Sequence, residues 1–65
     1  MMNTKARLLE DLETAAQRIL NRIAEIRTAK TEDARENAEA DLYADSMVMR
    51  EKSKTVAKYL SSDAN

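Results

Sequence analysis

Asp41 and Asp45 stand four residues apart, so on a helix their carboxylates share a face one turn from each other. That spacing suits either a clip for a hard cation or a pair for general acid–base work. Each job makes a further demand. A hard cation takes about six to eight oxygen ligands from several directions, and a carboxylate that shuttles protons near neutral pH needs a pocket that shifts its pKa. A 65-residue chain has little pocket to offer, and paired carboxylates on one helix are ordinarily solvated surface. The wider inventory points the same way. Histidine and cysteine are absent, which removes most nucleophile–base pairs and the usual transition-metal sites. Without glycine there is no phosphate-binding loop and no dinucleotide fingerprint. The expectation is a non-enzyme with no catalytic residue, no cofactor and no metal.

A second set of residues suits binding rather than catalysis. Arg50, Lys54 and Lys58 repeat every four residues in "REKSKTVAK", so they line one edge of a helix and repel one another. Tyr43 and Met47 continue that edge upstream, and Lys5 and Arg7 are expected near its far end. The edge is either a solvated flank partly neutralised by Glu10, Asp11 and Glu13, or a docking strip for an acidic protein or nucleic acid. Nucleic acid fits less well, because the chain carries a net charge of −1 and only two tyrosines for stacking. Val48 and Tyr59 fall on the opposite edge, as dimer contacts or as scattered surface apolars. Met49 lies in the apolar stripe, where a gap-filling role is the simpler one.

These residues need elements to hold them. Charged residues make up 35% and aromatics 3%, the composition of a long helix or coiled coil. Leu9, Leu12, Ala16, Ile19, Ile23 and Ile26 follow spacings of three and four, an a/d heptad. Leu8, Ala15 and Leu20 widen the stripe toward a bundle face. Continued onward, that heptad falls on Lys30, Asp33, Asn37 and Ala40 and fails. A new stripe follows in Leu42, Ser46, Met49, Ser53, Val56 and Leu60, offset by two residues. Neither a four-residue nor a three-residue insertion restores that phase.

The offset predicts that the chain turns. Folded so that paired positions add to about 61, it sets Ile23 by Ala38, Ile19 by Leu42, Ala16 by Ser46 and Leu12 by Met49. Leu9 then meets Ser53, Lys5 meets Val56, and Met2 meets Leu60. Charge favours the same arrangement. Residues 1–30 carry +2, residues 31–49 carry −5 and residues 50–58 carry +3. Arg18, Arg22, Arg27 and Lys30 thus lie beside Glu32, Asp33, Glu36, Glu39 and Asp41. At the other end, Glu10, Asp11 and Glu13 lie beside Arg50, Lys54 and Lys58. Asn3 or Thr4 is the expected cap of the first helix and Thr31 of the second, with Glu32 and Asp33 facing the positive end of its dipole.

The predicted fold is all-α: an antiparallel, coiled-coil-like two-helix hairpin forming one domain over residues 1–65. Its first helix spans about 4–29, the turn about 30–31, the second helix about 32–61, and a frayed tail 62–65. Seven large aliphatics on the first helix face small residues on the second, so a lone hairpin leaves apolar surface wet. A homodimer forming a four-helix bundle is the commonest remedy, with Ile19 and Ile23 buried and Leu20 near the subunit contact. A helix of another protein is the other remedy.

The two-helix layout, length and turn position resemble the Rop family of plasmid copy-number regulators. That resemblance implies a dimeric four-helix bundle that binds RNA. No RNA-contacting residue matches one by one, so the activity is not carried over. The stretch "AKTEDARENAE" resembles a single eleven-residue repeat of late-embryogenesis-abundant proteins.

No apolar run exceeds three residues, so no membrane span is expected. The start "MMNTKARLLEDLE" breaks into acids where a signal peptide would be apolar, giving a cytoplasmic expectation. The function expected is a regulatory protein-binding module, an adaptor, chaperone or inhibitor of another protein, of the kind found among phage or plasmid accessory proteins. An RNA-binding bundle or a purely structural coiled-coil segment is the alternative. The candidate partner-binding residues are Leu20, Tyr43, Met47, Val48, Arg50, Lys54, Lys58 and Tyr59.

Overall fold

The computed structural model describes residues 4–63. Helix α1 runs Thr4–Thr28 and helix α2 runs Glu32–Asp63, and no strand occurs among the described residues. Asp11, early in α1, meets Lys52, late in α2, at 3.9 Å, so the helices are antiparallel. The hairpin is a flat slab with extents of 50 × 21 × 14 Å. Among the described residues no helix is long and apolar enough to cross a membrane.

The reversal is made by side chains rather than by a permissive backbone. The Ala29 amide donates to the Ile26 carbonyl at 3.4 Å, tightening the last turn of α1 into a 3₁₀-like closure. Thr28 turns its hydroxyl back onto the Ala24 carbonyl at 2.8 Å, a local bond that competes with helix continuation. Thr31 then caps α2. Its hydroxyl oxygen accepts from the Ala34 amide at 3.1 Å, and its carbonyl accepts from the Arg35 amide at 3.1 Å. Glu32 and Asp33 fill the first turn of α2, where the helix dipole favours acids. Arg35 clasps Glu32 at 2.7 Å. No described residue has positive φ, which explains how the chain turns without glycine. Asn3, the other candidate cap, lies outside the described residues, as does Met2. Helix α2 continues through Asp63, two residues past the expected end, while residues 64–65 lie outside the description.

The seam between the helices differs in one respect from the stripes read in the sequence. On α1 the residues that lose exposure are Lys5, Leu8, Asp11, Leu12, Ala15, Ala16, Ile19, Arg22 and Ile26. On α2 they are Ala38, Leu42, Asp45, Met49, Lys52, Ser53 and Val56. Four of the six residues of each predicted stripe are at least partly covered: Leu12, Ala16, Ile19 and Ile26 on α1, and Leu42, Met49, Ser53 and Val56 on α2. The other two of each lie outside the seam: Leu9 and Ile23 remain 45% and 39% exposed, and Ser46 and Leu60 are also exposed. The pairings of Leu9 with Ser53 and of Ala16 with Ser46 are therefore not closed layers. Ion-pair register shifts in the same direction. Asp11 takes Lys52 rather than Arg50, Lys54 or Lys58, and Arg22 reaches Asp41, as the charge pattern predicts, and more closely Asp45 beyond it.

The reason lies in the ions. Arg22 occupies a seam position because its aliphatic stem can lie along apolar surface while its head reaches carboxylates. Asp45 accepts from its Nε at 3.0 Å, and Glu25 accepts from its Nη1 at 2.8 Å. With charges in the seam, little is sealed. Ala15, Ala38 and Val56 are the buried hydrophobics among the described residues.

Candidate functional site

The seam divides the slab into two broad sides. On one, α1 contributes Leu8, Asp11, Thr14 and Arg18, while α2 contributes Met47, Val48, Glu51, Lys52 and Thr55. Seven of these nine residues line a groove of about 410 Å³, with apolar walls from Leu8, Met47 and Val48 and polar rims from Asp11, Glu51, Lys52 and Thr55. A smaller hollow of about 220 Å³ continues it toward the turn, sharing Asp11, Val48 and Lys52 and adding Thr14, Ala15 and Arg18. The Asp11–Lys52 ion pair at 3.9 Å bridges the helices where the two hollows meet. Both partners are well exposed there, so the pair contributes little to stability. It can instead exchange its internal partner for an incoming one at small cost.

Farther along the same side stands the Arg22 cluster. Hydrogen bonds to Glu25 and then to Asp45, reinforced by the charges of Glu25 and Asp41, push the Arg22 guanidinium further above its already high pKa. The residues considered as a cation clip, Asp41 and Asp45, therefore face a guanidinium at 4.0 and 3.0 Å. Among the described residues no group of three or more His, Cys, Asp or Glu is placed to hold a metal ion.

The second broad side is built from what the seam left out. Leu9, Leu20 and Ile23 stand 45%, 59% and 39% exposed on α1. Beside them α2 presents Ser46, Ser53 and Leu60, all small or only partly covered. This side has three large apolar groups on α1 and, on α2, two serines with Leu60 at the far end.

The candidate residues fall in four places. Met47 and Val48 come together in the groove. Tyr59 flanks a further hollow with Thr55, Lys58 and Ser62, one helical turn beyond the groove. Leu20 lies across the seam on the apolar side. Tyr43, Arg50, Lys54 and Lys58 are exposed on the part of α2 that faces away from α1, with Tyr43 at 71%. The basic row is thus not flanked by Glu10, Asp11 and Glu13: the residue that answers Asp11 is Lys52. Apolar periodicity places Leu8 at the margin of its stripe and charge patterning singles out Asp11, but neither marks Lys52 or, with it, the groove. A signal for it existed in the opposite charges of Asp11 and Lys52, two residues off the assumed register.

No family model matches this chain. Neither does any curated protein or any solved structure. The arrangement of side chains is therefore the basis for a functional reading. It offers an elongated groove with an apolar wall and ionic rims, an outward basic row, and an uncovered apolar side.

Proposed function

We propose that this chain is a non-catalytic protein-interaction module, an adaptor, chaperone or inhibitor that works in the cytoplasm by occupying a partner's surface. It does so as a homodimeric four-helix bundle. One observation carries the reading: an amphipathic hairpin whose buried hydrophobics are two alanines and a valine, while Leu9, Leu20, Ile23, Tyr43, Met47, Val48, Tyr59 and Leu60 stay 36–71% exposed. A hairpin of this size has too little interior to be stable alone, and exposed apolar surface on this scale marks contact surfaces. The absence of histidine and cysteine supports surface occupation over catalysis. The groove wall formed by Leu8, Met47 and Val48 suits an apolar side chain of a partner helix, and the Asp11, Glu51 and Lys52 rim suits polar flanks on either side of it.

RNA binding is the competing reading, favoured by the outward row of Arg50, Lys54 and Lys58 beside exposed Tyr43. One experiment separates the two. The native protein, Val48→Asp, and the double substitution of Lys54 and Lys58 by Glu are each used as bait in host extract at low and high salt. A protein partner retained at high salt, lost with Val48→Asp and kept by the double variant is the expected result. RNA captured only at low salt, and lost with the double variant through loss of counterion release, would replace this reading with the other.

A further inference from the structure

We infer that the second copy seats on the side of the hairpin bearing Leu9, Leu20, Ile23, Ser46 and Ser53, which leaves the groove on the opposite side open for a different partner. The inference rests on the dimer reading above and names the face that reading requires.

Three observations meet on this face. The first is angular. At about 100° per residue, the apolar stripe of α1 (Leu9, Leu12, Ala16, Ile19, Ile23, Ile26) is rotated about 40° from the residues that lose exposure to α2. The stripe of α2 is rotated about 30° from those that lose exposure to α1. Both rotations go toward the same broad side. In a square bundle each helix aims its apolar stripe at the shared centre, about 45° from the direction of its neighbour. The hairpin is therefore shaped as half of a four-helix bundle whose centre lies off this side.

The second is area. A slab of 50 × 21 Å projects about 1,000 Å² on its broad side, above the ~800 Å² per partner that a stable interface ordinarily buries. The third is charge. Glu13 and Arg27 border this side on α1, and Glu39 and Arg50 border it on α2; all four are exposed. Among the described residues none of the four joins an ion pair within the hairpin. Two such faces can meet about a two-fold axis in two ways, α1 on α1 or α1 on α2, and in both the stacked helices run antiparallel. Glu13 then meets Arg27 or Arg50 of the second copy, and Glu39 meets the other. Either stacking sets opposite charges together, as a self-complementary interface demands.

The test uses two full-length variants, Glu13→Lys with Glu39→Lys and Arg27→Glu with Arg50→Glu, studied by sedimentation and circular dichroism alone and mixed. Each variant alone carries four edge charges of one sign. Turning four attractive pairs into repulsive ones should weaken self-association roughly tenfold or more. An equimolar mixture should form a heterodimer of native mass and helicity. If a variant alone unfolds, the mixture decides: recovered helicity supports the inference, and a mixture that stays unfolded overturns it. If both variants dimerise as the native chain does, with no preference for each other, the dimer stands and this face is wrong. If the native chain is a folded monomer at tens of micromolar, the dimer reading itself falls.

Discussion

Replacing Leu20 with alanine changes stability in opposite directions depending on whether the apolar side is covered. In an isolated hairpin Leu20 is 59% exposed, and alanine is the better helix former, so Leu20→Ala is neutral or slightly stabilising. In a dimer closed on that side, the remaining exposure is buried. Leucine exceeds alanine by three carbons, worth about 2.4 kcal/mol at ~0.8 kcal/mol each when fully buried. The 59% still exposed in the hairpin then corresponds to about 1.4 kcal/mol per copy. Two copies give about 3 kcal/mol per dimer, or roughly a hundredfold weaker self-association. Sedimentation equilibrium over a concentration series measures this directly. Thermal melts provide a second readout, because a dimer's midpoint rises with concentration. Unchanged association, or a melting midpoint that is higher in the variant and independent of concentration, would refute the argument.

Thr31→Ala removes the hydroxyl that accepts from the Ala34 amide; the expected cost is about 1 kcal/mol and a midpoint lower by roughly 4–8 °C, read by circular dichroism. Spin labels on Ala16 and Ser46 should lie within about 10 Å of each other, allowing for packed helix axes, whereas a continuous helix would part them by roughly 45 Å; pulsed dipolar spectroscopy distinguishes the two.

The turn was legible in the sequence because two independent patterns break together at the same place. The apolar stripe changes phase after Ile26, and the charge changes from the basic run ending at Lys30 to the acidic run from Glu32. Thr31 was legible as a cap because a hydroxyl followed by two acids has few other roles. The finer rotation of the seam was not. Periodicity ranks Ile23 above Arg22 and Ser46 above Asp45, since it counts apolar groups and cannot see that an arginine and an aspartate answer each other across 23 positions. Leu8 and Leu9 are the same residue type in adjacent positions, so only the packed structure decides which one turns inward. The groove was hidden for the same reason. Its rim, Asp11 and Lys52, depends on a register that no single helix encodes.

The turn itself has a topological consequence. Residues 29–31 carry no proline and no glycine, and no described residue sits in the left-handed region. Nothing in the covalent backbone therefore forbids those three residues from joining α1 and α2 into one unbroken helix. The bend is opposed to straightening by the Thr31 hydroxyl, the Thr28 back-bond and the contacts across the seam, all of them side-chain terms of modest size. The reversal is set by the faces it brings together. An extended form of this chain would differ from the hairpin in burial far more than in local conformational strain.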